Sequence, residues 1–317
     1  MFSPRPRARG FTLVELMVAI ALGLLIIGGI FTAYLSTTWT TSTNARFAEV
    51  QNNGRYAIDY LRREIQLAGY VGVQKADFLS TSPPQKVGAV TSNYGGCGAG
   101  FYARIEQPIW GANDAKTLGC NGMNWARGDV LVLRRTGLTR LAAGFTPSAK
   151  TSYVRTELNH ATVYFGSAQP ATTLRPGETY TPEDYAMEVD VYYISPWTTA
   201  STDSPNVPAL YRLTLGADAT ADLTPQLIAT GIENMQVQYG ITAGGTTIFK
   251  DAGAVAASEW PNVASVRLWL LARSTGVEPG YTNNKSYDMG DLTGTDAYKV
   301  NDSFMRQLFP LVIGVRN

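Results

Sequence analysis

Residues 1–35 read MFSPRPRARGFTLVELMVAIALGLLIIGGIFTAYL, and this stretch decides the fold. Arg5, Arg7 and Arg9 stand in a short leader that holds no acidic side chain. An apolar run from Leu16 to Phe31 follows, with apolar flanks, and is long enough to enter or span a bilayer as a helix. The arginines keep the leader cytoplasmic and place everything after Tyr34 on the far side. A secretory signal peptide accounts for the basic start only. Glu15 lies inside the apolar segment, where an ionisable group is costly without a task, and Phe31-Thr32-Ala33 is a poor cleavage site. A plain anchor explains the length and leaves Glu15 without a role.

The hexapeptide Gly10-Phe11-Thr12-Leu13-Val14-Glu15 resembles the prepilin peptidase site of the type IV pilin superfamily. The resemblance implies cleavage after Gly10 and N-methylation of the new terminus, Phe11. It also implies that the apolar segment stays as a membrane anchor and later becomes filament core. Glu15 would then be the carboxylate that pairs with the α-amine of a neighbouring Phe11 and sets the axial register of assembly. A carboxylate buried among apolar helices needs such a partner.

No proline occurs between Pro6 and Pro83, so one helix is expected from Phe11 to about Ala68, roughly 85 Å long at 1.5 Å per residue. Its first half is apolar all round. Beyond Thr43 a single stripe of Phe47, Val50, Gly54, Ile58, Leu61, Ile65 and Ala68 recurs at spacings of three and four. Arg46, Glu49, Arg55, Asp59, Arg62 and Arg63 fill the other faces, and Gly69 and Gly72 mark the end. Gly28 and Gly29 interrupt the apolar half, either to allow local unwinding in a filament or to permit close helix packing.

From Val73 to about Gly128 the chain is rich in Gly, Asn, Ser, Thr and Pro and reads as an irregular insertion. Cys97 and Cys120 lie within it. In an exported domain they read as one disulfide closing a loop of about 24 residues, with roughly 3 kcal/mol of stabilisation in the loop-entropy picture. Two free buried thiols are the other reading. Strands are expected at Asp129–Arg135, Tyr185–Ser195, Ala209–Leu215, Gln226–Ala229, Asn234–Ile241, Val263–Arg273 and Leu311–Arg316, separated by turn signals. The fold class is therefore α+β: a pilin-like long helix packed on an antiparallel β-sheet head, in one or two sheets.

Several fragments narrow the resemblance. Ala209-Leu210-Tyr211-Arg212-Leu213, the run Leu227–Tyr239 (LIATGIENMQVQY), Trp260, Val263–Arg273 (VASVRLWLLAR) and the ending from Met305 to Asn317 resemble the PilW family of minor pilins. Leu61–Gly72 (LRREIQLAGYVG) is similar to the PilW helix end. Pseudopilin J of type II secretion has a related order. The likeness covers roughly 11–72 and 185–317 and leaves 73–184 unmatched. The expected organisation is a leader, 1–10; a transmembrane and filament-core helix, 11–35; an amphipathic helix packing on the head, 36–72; a loop-rich variable region, 73–184; and a PilW-like β-rich region, 185–317.

Composition excludes several classes. Net charge is +1, and without the leader 23 basic face 25 acidic side chains, so nothing pulls the bulk of the chain toward nucleic acid. His160 is the only histidine, which leaves no base for a nucleophilic triad and too few soft ligands for a protein-only zinc site. It reads as a surface or turn residue. No G-x-x-x-x-G-K-[ST] loop occurs, and Gly95, Gly96, Gly98 and Gly100 around Cys97 read as a flexible disulfide loop. Asp288, Asp291 and Asp296 form a glycine-containing acidic loop that would suit calcium or be simply solvated. Arg134, Arg135 and Arg140 read as a basic patch for DNA or as a solvated strand edge. No cofactor, metal or catalytic activity is expected.

The resemblance implies a minor pilin of the type IV pilus, priming assembly or sitting at the tip. It would sit in the inner membrane as a single-pass protein with a periplasmic head, and then at the cell surface. Its implied partners are prepilin peptidase, other minor pilins, the major pilin, the inner-membrane assembly platform and membrane lipid. The rival readings are a J-type pseudopilin and a pilus-borne adhesin or DNA-binding tip subunit.

Overall fold

The computed structural model describes residues 10–72, 84–88, 96–114, 118–148, 151–157, 160–171, 181–214 and 223–315. The leader arginines and Gly95 lie outside the described residues, as do parts of the 73–184 region. The chain divides into two compact units, residues 1–48 and 49–317.

In the first unit the helix α1, which spans Leu13–Leu67, presents its apolar side chains to the exterior, and it is long and apolar enough to cross a membrane. It runs through Gly28 and Gly29 without a break. The segment STTWTTST, 36–43, is a poor helix former, because hydroxyl side chains compete for backbone groups. Here those hydroxyls are turned to the helix's own carbonyls. Thr37 bonds Ala33 O at 2.9 Å, Thr38 bonds Tyr34 O at 3.0 Å and Thr41 bonds Thr37 O at 2.9 Å. Phe47, expected at the start of the apolar stripe, is instead 45% exposed.

In the second unit α1 buries Val50, Gly54, Ala57, Ile58, Leu61 and Ile65. Gly54 is needed here, because a Cβ would run into the Phe309 ring. The strands are β1 (Gln85–Val87), β2 (Ile109–Ala112), β3 (Arg127–Thr136), β4 (Ser152–Glu157), β5 (His160–Phe165), β6 (Glu183–Ser195), β7 (Ala209–Thr214), β8 (Thr224–Thr230), β9 (Ile232–Ala243), β10 (Thr246–Asp251), β11 (Val263–Arg273), β12 (Ser286–Tyr287), β13 (Tyr298–Lys299) and β14 (Arg306–Gly314). Eight of them form one sheet along β1-β5-β4-β6-β3-β2, with β7 added to β6 and β8 to β7. The long strand β6 is its spine: β3 lines one edge, and β4 and then β7 share the other. A four-stranded antiparallel sheet has the order β10-β9-β11-β14.

Two cores result. Leu61 and Ile65 of α1 pack with Met235 and Val237 of β9, Val266 and Leu268 of β11, and Leu131 and Leu133 of β3. Val130 and Val132 of β3 belong to a second core with Val154, Val163, Val191 and the disulfide. Because β3 is buried on both faces, its sequence reads as a nearly continuous apolar run with only weak alternation.

Three features differ from expectation. The segment expected to be loop-rich, 73–184, supplies β1 to β5 and the first residues of β6. Strands β4 and β5 carry buried Ser152, Arg155, Thr156 and Thr162, so polarity hid them. β1 pairs parallel with β5, so the large sheet is mixed rather than purely antiparallel. The final strand begins at Arg306, before Leu311, and includes Pro310. Proline is tolerated there because β14 is an edge strand. The hairpin to β10 turns on Gly244 and Gly245, with φ of 58° and 82°. Positive φ at both turn residues is what a two-residue hairpin loop requires.

Candidate functional site

In the N-terminal unit the residues that carry the pilin resemblance form a helix cap. Thr12 precedes the first helical residue, Leu13. The Glu15 carboxylate oxygen Oε2 accepts from the Thr12 backbone N–H at 2.9 Å and from the Thr12 hydroxyl at 2.9 Å. The Glu15 N–H donates in return to Thr12 Oγ1 at 3.2 Å. This reciprocal pair satisfies two N–H groups that a helix start otherwise leaves unbonded, and it sets a negative charge at the positive end of the helix dipole. Gly10 and Phe11 lie just outside the helix, both exposed. The sequence reading missed Thr12. The T-x-x-E spacing before an apolar run was the available signal.

In the head, Cys97 and Cys120 are joined, with 2.09 Å between the sulfurs. His160 opens β5, and its Nε2 lies 2.9 Å from Glu157 Oε2. The acidic loop is not gathered around one point. Asp291 accepts from Asn113 Nδ2 at 2.7 Å, whereas Asp288 accepts from the Gly294 N–H at 3.2 Å. Among the described residues no three His, Cys, Asp or Glu side chains form a metal-holding group.

Of the three arginines read as a basic patch or solvated edge, Arg134 and Arg135 are drawn into the head, while Arg140 is solvated, with 71% of its side chain exposed. Arg134 is 1% exposed and donates to Phe101 O and Gln107 O. Arg135 pairs with Glu188 at 2.6 Å and Glu64 at 3.6 Å, and Arg140 with Glu183 at 3.1 Å. Arg134 and Arg135 go to different partners because β3 lies inside the sheet, where alternate side chains enter opposite cores, and Arg140 lies beyond the end of that strand.

Three of the PilW-like fragments, Leu227–Tyr239, Val263–Arg273 and the C-terminal one, meet at Glu233. Its carboxylate, buried at the start of β9, is gripped by Arg306 of β14, whose Nη2 lies 3.0 Å from Oε1 while Nε bonds Oε2. The Tyr298 hydroxyl donates to Oε1 at 3.2 Å, and Arg127 and Arg273 lie 3.8 Å and 4.0 Å away. Arg306 also forks onto Asp302 at 2.6 Å and 2.7 Å. Burial works against the charge on Arg306, yet its bonds to Asp302 and Glu233 raise its pKa above the ordinary value. The hydrogen bond from Arg306 holds the Asp302 carboxyl below its usual range. Arg273 is pulled down by burial, which the nearby Glu233 opposes. The site carries no nucleophile–base pair. It clamps β9, β11, β14, β3 and the β12–β13 hairpin together.

A second buried acid, Asp129 of β3, joins the sheets by accepting from Val237 N–H of β9 at 2.7 Å and Asp114 N–H at 2.9 Å. Burial pushes its carboxyl up to about 8 against those two bonds, and the charges of Asp114 and Asp291 add to the rise.

Comparison with known proteins bears on both units. Residues 5–31 match the prokaryotic N-terminal methylation motif. Residues 191–317 match the family described as type IV pilus-assembly protein W, a stretch that contains Glu233, Arg273 and Arg306. Among curated proteins nothing matches the chain. A type IV-like pilin from Thermus thermophilus is similar over 59% of this chain and 77% of that one, at 15% identity and a TM-score of 0.29, too low to bear on the fold. With the methylation motif at one end and the PilW region at the other, the chain is similar to the PilW-like minor pilins of the type IV pilin superfamily.

Proposed function

We propose that this protein is made as a precursor, cut after Gly10 by a prepilin peptidase, N-methylated on Phe11, and built into a type IV pilus as a priming or tip subunit. Before assembly it is held in the inner membrane by the apolar half of α1, with its head in the periplasm. It then joins other minor pilins and the major pilin through the assembly platform. The family is structural, and the buried Glu233–Arg306 and Arg155–Asp184 pairs of the head hold strands together.

The observation that supports this reading most is the state of Glu15. Its carboxylate sits on the apolar half of α1, and its described bonds all go to Thr12 through Oε2. Oε1 is left for a cation. The α-amine of a neighbouring subunit's Phe11, created by the cut, supplies one as the apolar helices pack and water leaves. The PilW match over 191–317 favours the pilus over the J-type secretion pseudopilin.

The test is intact mass and N-terminal sequencing of the protein from membranes and from sheared surface filaments. A chain beginning at methylated Phe11 in both fractions supports the proposal. A chain beginning at Met1, or cut beyond Phe31, overturns it. Glu15→Ala should be processed normally yet drop out of filaments, and wild-type incorporation of that variant would end the assembly role given to Glu15.

A further inference from the structure

A cavity of about 210 Å³ opens beside the disulfide, lined by Cys97, Phe101, Arg104, Trp110, Leu118 and Arg134 among others. Its chemistry is unusual for a structural gap. Arg134 is buried, and its described hydrogen bonds go to two backbone carbonyls, which orient the guanidinium without neutralising it. Its charge also lies 4.7 Å from the centre of the Phe101 ring. No ion pair to Arg134 or Arg104 occurs among the described residues within 4.0 Å. Of the Glu106 carboxylate, Oε1 is held by Lys86 at 2.9 Å, and its charge reaches Arg134 only from beyond ion-pair distance. Burial and the like charge of Arg104 pull Arg134 down to about 9, with Glu106 opposing. A buried cation without a matching anion is expensive, and such groups are ordinarily paired.

We infer that this cavity is a binding site for a ring-bearing carboxylate of the size of a uronic acid. The remaining N–H groups of Arg134 form a planar fork suited to a carboxylate, and Arg104 supplies a second positive charge at the mouth. Phe101 and Trp110, packed edge to face at 6.2 Å, give one wall on which a sugar ring can rest. The volume exceeds what a bare carboxylate or phosphate fills, since one water occupies roughly 30 Å³. The disulfide fixes Cys97 at the rim. This site is independent of the Glu15 chemistry and would serve a subunit that meets acidic saccharides outside the cell.

The experiment is calorimetric titration of full-length protein in detergent micelles with glucuronate, glucose, inorganic phosphate and a short oligouronate. Saturable glucuronate binding in the roughly millimolar range is expected, with glucose silent and phosphate about tenfold weaker. Arg104→Gln should weaken glucuronate about tenfold with an unchanged melting temperature. Arg134→Lys, which keeps the charge but removes the fork, should weaken it similarly. If that buried variant does not fold, the exposed Arg104→Gln carries the test alone. Oligouronate binding tighter than the monomer assigns the carboxylate to a polymer, and equal binding assigns it to a free sugar acid; both support the site. No saturation by glucuronate, glucose binding as tightly as glucuronate, or full affinity in Arg104→Gln overturns it. Phosphate binding as tightly as glucuronate overturns the carboxylate class.

Discussion

Glu15 and Glu233 are both carboxylates set in apolar sequence, and the molecule treats them in opposite ways. Glu233 lies inside the head and is surrounded by Arg306, Tyr298, Arg273 and Arg127, all from its own chain. Glu15 is exposed in its unit, and its described bonds go to Thr12 alone. The same contrast runs through α1. Leu61 and Ile65 are fully buried, whereas Leu24 and Ile27 stand more than 60% exposed. The head covers its central polar and apolar groups, Glu233 and Leu61 among them, within one chain. The N-terminal unit leaves both kinds unsatisfied, and water is a poor solvent for that much exposed hydrocarbon. The difference separates a part whose apolar side chains are covered by its own chain from a part whose apolar side chains are exposed.

Substitutions test that separation, beginning with the most severe. Gly54→Leu drives a side chain into the Phe309 ring and should cost the head more than about 4 kcal/mol or prevent folding. Gly29→Leu, with open space around its Cβ position, should leave the melting temperature in detergent unchanged. Equal effects at the two positions would break the comparison. Glu233→Ala leaves Arg306, Arg273 and Arg127 facing one another and should cost about 3–5 kcal/mol by denaturant unfolding. Leu61→Ala should cost about 3 kcal/mol, and Leu24→Ala close to nothing, by the same measurement.

A different kind of effect is a pH dependence from Asp129. Its carboxyl is neutral up to about 8 when folded but ionises near its ordinary 3.8 when unfolded. The folded state therefore holds the extra proton between those values. The contribution of Asp129 to stability is fully present below about pH 3.8 and declines as pH rises toward about 8. Asp129→Asn removes this slope, so the melting temperature of the variant should fall less than that of the wild type between pH 5 and pH 8. Parallel curves would show that Asp129 is charged in the fold, held by its two backbone N–H bonds.

Much of the architecture was readable because it follows local periodicity. The helix required only apolar content, spacing and the absence of proline, and its observed bounds, Leu13 and Leu67, lie within two residues of the expected ones. Strands β6, β7, β9 and β11 announced themselves through branched and aromatic residues. β4 and β5 did not, because Arg155 and Thr156 are buried by partners distant in sequence: Arg155 forks onto Asp184 at 2.7 Å and 3.0 Å. A buried ion pair makes a strand look like a loop when only one of its members is in view.

The sequence by itself determined the class of the protein, because an apolar helix with one carboxylate after a glycine is a local statement in covalent order. It also placed the two cysteines 23 residues apart in one segment of the head. Only the tertiary structure decided that Glu233 gathers Arg127, Arg273 and Arg306, that Arg134 lies buried beside a cavity, and that Gly54 exists for Phe309. Those facts depend on which strands become neighbours. Strand pairing is set by burial summed over the whole chain, and no window of sequence contains that sum.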